Sequence, residues 1–251
     1  MTHYAADEMV PLPSSGRVFS DTFRAGLGDC APGGRVRMDA IARWLQDIAW
    51  WDVEDAGLAD SALWILRRTR IQVHRFPRIQ EPHLVRTFPS GLGRIVAERR
   101  TVITTAADPD TPLVDTEALW VHLDAQTRRP HAFTPDELKI FGAAGYGDRV
   151  VSHRLRQPRP EPHELEQATQ RPWQFRHTET DMADHVNNAA YWAPLEEEFL
   201  QAGNEPQQLD AEVEFRDGAY PGAARYLANG KRRWLLAEHD ELLATFVIRE
   251  G

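Results

Sequence analysis

The sequence predicts an α+β fold built twice in tandem, and three observations predict it. A single amphipathic helix is followed by a run of short alternating strands, which reads as an antiparallel sheet packed on a helix rather than as βαβ units. A stretch crowded with Gly, Pro and charge, 142–172, interrupts the chain, and after it the order strand, helix, strands returns. An offset of 150 residues then sets Asp29-Cys30-Ala31-Pro32-Gly33-Gly34-Arg35-Val36 on Glu179-Thr180-Asp181-Met182-Ala183-Asp184-His185-Val186. Each segment follows a strand and opens a helix. Few side chains match, so the register rests on position and on Val36/Val186.

The first helix is expected over about Val36 to Ala56. Met38, Ile41, Leu45 and Ile48 recur at helical spacing, and Trp44 and Trp51 widen the apolar stripe. Gly33 and Gly34 punctuate its start and Gly57 suits its C-terminal cap. Strands follow at Thr69–His74, with Ile71 and Val73 on one face, at Ile95–Ile103, and at Leu119–Asp124, where Leu119, Val121 and Leu123 alternate with Trp120, His122 and Asp124. Asp108-Pro109-Asp110 marks the turn between the last two. Beyond the interruption, a strand near Trp173–His177 leads to a second helix from about Asn187. Pro194 falls inside that helix, so the helix either bends there or begins later. The last strands are expected at Ala211–Phe215, Arg225–Leu227, Arg233–Ala237 and Leu243–Ile248.

The chain has 251 residues, room for two small modules, and a net charge of −9, which argues against binding nucleic acid through its phosphates. The basic pairs Arg67-Arg68, Arg99-Arg100 and Arg128-Arg129 and the run Lys231-Arg232-Arg233 read as solvated strand faces. No stretch approaches the roughly 18 apolar residues of a membrane helix, so no membrane insertion is expected. The polar N-terminus lacks a signal pattern, and Cys30 is the single cysteine, read as a small core residue. A cytoplasmic protein is the expectation.

Chemistry concentrates in Thr178–Trp192, TETDMADHVNNAAYW, which gathers Glu179, Asp181, Asp184 and His185 just ahead of a helix start. Free backbone N–H groups and the helix dipole favour negative charge there. Asn187 and Asn188 have an ordinary use as caps. The whole pattern D-x-x-x-H-V-N-N-x-x-Y, Asp181 through Tyr191, points beyond capping. No metal is expected, because a second ligand cluster is lacking and one cysteine cannot build a thiolate cage.

At these residues the chain resembles the acyl-acyl-carrier-protein thioesterases, whose signature includes D-x-N-x-H-V-N-N-x-x-Y. The resemblance extends to Trp64-Ile65, to Thr69-Arg70-Ile71-Gln72-Val73-His74-Arg75-Phe76-Pro77, and to Trp120-Val121 followed by Thr127-Arg128-Arg129, so it runs from about Val18 to Trp192. It implies two fused hot-dog domains, each a long central helix wrapped by an antiparallel sheet. The expected bounds are 1–145 for the first domain, 146–170 for a linker and 171–251 for the second.

The resemblance implies hydrolysis of fatty acyl thioesters without a cofactor. Asp181 and His185 match the family's acid and histidine. Its asparagine falls at Ala183, and Asp217, in Val213-Glu214-Phe215-Arg216-Asp217, is the match for its further carboxylate. Asp181 would activate water or attack the carbonyl, with backbone N–H groups of Val186, Asn187 and Asn188 holding the oxyanion. The segment also resembles the single-domain acyl-CoA thioesterases of the 4-hydroxybenzoyl-CoA type, whose D-x-D-x-x-G uses its second Asp. Asp181 stands there, and the first half carries Ala31 instead, which leaves that half to complete the sheet and line the acyl pocket. Acyl carrier protein or coenzyme A thioesters are the expected partners, with a homodimer one admissible assembly. A hot-dog acyl-binding protein without turnover and an enoyl-thioester hydratase are the alternatives.

Overall fold

The computed structural model describes residues 9–59, 62–141 and 149–249; the expected domain boundary at 145/146 and the first eight residues of the N-terminus lie outside them. The first half comprises β1 (Phe19–Arg24), α1 (Met38–Asp55), β2 (Ala62–Val73), β3 (Pro82–Leu92), β4 (Val96–Thr105), β5 (Val114–Asp124) and α2 (Pro135–Phe141). After a connection holding α3 (Pro162–Glu166), the second half comprises β6 (Thr169–Phe175), α4 (Ala193–Ala202), β7 (Leu209–Phe215), β8 (Gly222–Asn229), β9 (Arg232–Ala237) and β10 (Leu242–Arg249).

All ten strands form one antiparallel sheet in the order β1-β3-β4-β5-β2-β7-β10-β9-β8-β6. The order is a palindrome: each half runs first, third, fourth, fifth, second strand from the outer edge inward. A two-fold axis through the seam between β2 and β7 generates that arrangement, and the duplication is a pseudo-dimer. At the seam Ile71 stands opposite Ala211 and Thr69 opposite Val213. Each half thereby pairs an edge that would otherwise be open. Arg70 reinforces the seam by forking onto Asp210 at 2.9 and 2.6 Å.

The helix stripe predicts the core well. Met38, Ile41, Leu45 and Ile48 are buried against the sheet, each worth about 1.5–3 kcal/mol of apolar burial. Trp51 is a partial exception, since it sits against the Phe23 ring at 5.2 Å but stays 37% exposed. Gly57 ends the helix at φ +70°, with its N–H on the Glu54 carbonyl.

The second helix corrects the expectation. Asn188–Trp192 is a 3-10 turn, and the α-helix starts only at Ala193 and spans 10 residues against 18 in α1. Pro194 therefore lies in the first turn, where its missing N–H has no intrahelical partner to lose. The helix begins late rather than bending, and only the first half has a long one.

Strand β3 and the short helices escaped the pattern reading. β3 carries Pro82, Pro89 and Gly91, residues that argue against a strand, and the chain accommodates them with a bulge between Pro89 and Gly91. The strand expected at Trp173–His177 is β6, which ends at Phe175, and His177 opens a 3-10 turn.

The basic pairs need a second correction. Arg68, Arg99, Arg100 and Arg233 are buried, while Arg128, Arg129 and Lys231 are exposed. Period two puts Arg68, Glu212 and Glu214 on the face opposite the α1 core, and that face is covered. The connection crosses it, exchanging backbone hydrogen bonds between Leu92 and both Arg149 and Val151 and directing the N–H groups of Arg156 and Gln157 at Glu214. Under this cover Arg68 pairs with Glu117 at 2.6 Å, so a carboxylate partner compensates the buried guanidinium.

Candidate active site

Both strand-to-helix junctions close with the same hydrogen bonds, displaced by 150 residues. Asp29 caps the Gly26 N–H at 2.9 Å, and Glu179 caps the Arg176 N–H at 2.7 Å. The Ala31 N–H reaches the Arg35 carbonyl, as Asp181 N–H reaches His185. The Gly34 N–H reaches Ala31, as Asp184 reaches Asp181, and Arg37 reaches Asp29, as Asn187 reaches Glu179. Val36 and Val186 tie each loop to its sheet through the carbonyls of Pro77 and Ala219. Gly34 and Asp184 both take positive φ, +81° and +62°. The register proposed from position and from Val36/Val186 is therefore the register of the backbone.

In the second junction the side chains converge on the loop. Asp181 is exposed and accepts from the Ala183 N–H at 2.9 Å and from the Asn187 side-chain amide at 3.0 Å, one donor to each oxygen. Asn187 also caps the following 3-10 turn, accepting the Ala189 N–H at 2.8 Å, so one amide ties the carboxylate to the helix entrance. His185 lies within hydrogen-bond distance of the Ala183 carbonyl through Nδ1 (2.8 Å) and of the Tyr220 hydroxyl through Nε2 (3.0 Å). A carbonyl only accepts, so Nδ1 carries a proton. Asp181 and His185 meet through the loop backbone, with no side-chain bond between them.

Asp217 is on the neighbouring loop. Its carboxylate accepts the N–H of Gly218, and its carbonyl accepts the buried Tyr191 hydroxyl at 3.0 Å. That hydroxyl in turn accepts the Ala219 N–H at 2.7 Å. Burial, with Asp217 and Asp181 close by, raises the Tyr191 pKa well above the usual phenol value, so the hydroxyl stays protonated. Gly218 lies against the His185 ring, where an added Cβ would come within 2.7 Å of Cδ2. The loop carrying Asp217 thus touches the histidine. Glu214, the other acid in that stretch, faces the connection and is bound to Arg216 at 2.8 Å.

Of the three backbone amides expected to hold an oxyanion, Val186 N–H is bound to Ala219 and Asn187 N–H to Glu179, while Asn188 N–H has no acceptor among the described residues. Asn188 lines a cavity of about 10 Å³ with Trp192 of the same turn and with Leu45, Gln46, Thr69 and Trp120 of the first half. Both halves therefore wall it.

The first junction is filled instead. Ala31 is buried where Asp181 stands, and Arg35 replaces His185, clamped at 2.6 Å by Glu196 of α4 and at 2.6 Å by Glu205. Cys30 is partly buried, and burial raises its thiol pKa, followed by the effect of nearby Asp29; it is a packed thiol rather than a nucleophile. Glu198 is a residue that local pattern reading missed. It grips Arg233 at 2.8 Å through both oxygens and accepts the Tyr226 hydroxyl at 2.7 Å, which fixes α4 on β8 and β9. Among the described residues no cluster of acids, histidines or cysteines fits a metal ion, and no helix is long and apolar enough to cross a membrane.

Known proteins share this fold. The chain is 26% identical over 210 residues to an uncharacterized protein of Mycobacterium tuberculosis, covering 83% of this chain and 80% of that one. Its fold is similar to a 12:0-ACP thioesterase from Umbellularia californica, with a TM-score of 0.72, 17% identity, and 92% and 96% of the two chains covered. An acyl-ACP thioesterase from Bacteroides thetaiotaomicron gives a TM-score of 0.68 at 15% identity, again covering 92% and 96%. These likenesses confirm tandem hot-dog halves. The family model for the acyl-ACP thioesterase N-terminal domain matches residues 16–141, half of the chain. With that match over half of its length, the chain belongs to the acyl-ACP thioesterase family, hydrolases of fatty acyl thioesters.

Proposed function

We propose that the C-terminal half carries the one hydrolytic centre of the chain, built on Asp181, and that acyl carrier protein delivers the acyl group. The observation that carries this reading is the Asp181 carboxylate held between the Ala183 N–H and the Asn187 amide, with the Asn188 N–H on the same segment left without an acceptor among the described residues. A fixed carboxylate next to a free donor at a helix entrance is what acyl transfer from a thioester needs. Asp181 takes a proton from water as the water oxygen bonds to the carbonyl carbon, or attacks that carbon itself to form an anhydride that water then cleaves. The Asn188 N–H receives the negative charge that grows on the carbonyl oxygen, and the thiol leaves with a proton. His185, braced by Ala183 and Tyr220, lines the approach, and Asp217 is the second carboxylate.

The first half, within the proposed bounds 1–145, supplies the far wall of the pocket, and 146–170 is the strap joining it to 171–251. An acyl chain enters where Leu45, Thr69 and Trp120 face Trp192. At about 10 Å³ this cavity accepts about one water, so α1 and the Asn188–Trp192 turn must part to admit a chain.

Thiol release from the same acyl groups on carrier protein and on coenzyme A tests the reading. Asp181→Asn keeps shape but removes basicity, so release should fall by about two orders of magnitude or more. Native turnover in Asp181→Asn would overturn the assignment, and preference for the coenzyme A thioesters would overturn the carrier.

A further inference from the structure

The shared register of the two junctions identifies one more residue. The 150-residue offset carries Arg35 onto His185, Met38 onto Asn188, and Gln46 of α1 onto Glu196 of α4. In the first junction those three act together: the Glu196 carboxylate accepts from the Met38 N–H at 3.1 Å and from Arg35 at 2.6 and 3.1 Å. This helix position therefore reaches across the pseudo-dimer to the first free amide of the other half's helix entrance. Gln46 holds the same position toward the second junction, and it lines the cavity that Asn188 lines.

The two junctions differ in what they leave free. In the first, the guanidinium, the amide and the carboxylate consume one another. In the second, neither the Gln46 side chain nor the Asn188 N–H has a hydrogen-bond partner among the described residues, and His185 is turned to Ala183 and Tyr220. The exchange of Glu for Gln also changes the chemistry. A carboxylate can only accept and would repel a developing oxyanion, whereas a side-chain amide donates.

We propose that Gln46 is a catalytic residue contributed by the N-terminal half, its side-chain amide and the Asn188 N–H forming a two-donor cradle for the thioester carbonyl oxygen. This assignment rests on the Asp181-centred reading above. It also accounts for the alanine at 183, because the amide missing from the loop arrives from the opposite helix. Both halves are then needed for a single centre.

The test compares wild type, Gln46→Ala, Gln46→Glu and Asp181→Asn on medium- and long-chain saturated acyl-coenzyme A and the same acyl groups on carrier protein, following thiol release. Gln46→Ala should lower kcat by about 10²-fold, the usual effect of losing one preorganised donor, with KM within about threefold. Gln46→Glu should be slower still near neutrality, and its deficit relative to wild type should shrink as pH falls toward about 4, where a protonated Glu donates again. If Gln46→Ala keeps native kcat while Asp181→Asn is inactive, the Gln46 role falls and the Asp181 reading stands. A wild-type protein that releases no thiol overturns both. A Gln46→Glu pH profile parallel to that of wild type overturns the donor role, even if Gln46→Ala is impaired through folding.

Discussion

Glu196 closes both carboxylate oxygens on the Arg35 guanidinium, at 2.6 and 3.1 Å, across 161 residues of sequence. Both side chains are almost fully buried, and the same carboxylate takes the first N–H of α1. The pair is a clamp between the halves at the junction that carries Ala31 where the other carries Asp181. Glu196→Ala should cost about 3 kcal/mol, since removing one partner strands a buried charge, with Glu205 as partial relief. Urea unfolding measures this. Thiol release per folded molecule should stay within about twofold, and a large loss of rate without loss of stability would give the first junction a chemical role instead.

Gly218 tests the contact between the Asp217 loop and His185. An added Cβ meets the ring at 2.7 Å, closer than side chains pack, and the ring yields more easily than the backbone. Gly218→Ala should therefore lower kcat by about tenfold while stability changes by less than about 1 kcal/mol. A melting curve and steady-state kinetics on one preparation decide it. Equal rates would show that the His185 position is immaterial.

Asp184 adopts φ +62° where the first half has Gly34. Among the described residues its side chain accepts no bond that would justify the left-handed conformation, and residues other than Gly adopt it at a cost. Asp184→Gly should be neutral or stabilising by up to about 1 kcal/mol with turnover unchanged. Asp184→Val, β-branched at positive φ, should destabilise by about 1–2 kcal/mol. Thermal melts order the three proteins, and Asp184→Gly losing most of its activity would make this acid part of the chemistry.

Asp39, in the first turn of α1, has a pKa below the usual carboxylate value. Burial works against the charged form, but hydrogen bonds from Arg37 and Arg43 outweigh it. A depressed carboxylate stabilises the fold above its unfolded value, near 3.9, and loses that contribution as pH falls through its lower folded value. Asp39→Asn should thus melt below wild type at neutral pH, and the two curves should converge below about pH 4. A constant gap from pH 7 to pH 3 would contradict the linkage.

The sequence by itself determined what is local. The α1 stripe, the Gly57 cap, the alternation in β2 and the 150-residue register are set by neighbouring residues, so periodicity and turn chemistry expose them. The same holds for Asp181, His185 and Asn187, which lie within seven residues on one loop. Pro194 is read correctly only when the helix start is known, and that start depends on the tertiary position of the Asn188–Trp192 turn. Tertiary structure alone decided the rest. It buried Arg68 beneath the connection, tied Arg70 to Asp210 across the seam, clamped Arg35 with Glu196 and brought Gln46 beside Asn188. The reason is physical: these partners are separated by about 50 to 160 residues, and nothing in a local hydrophobic pattern distinguishes a charged or amide side chain bound for water from one that meets its partner across a folded sheet.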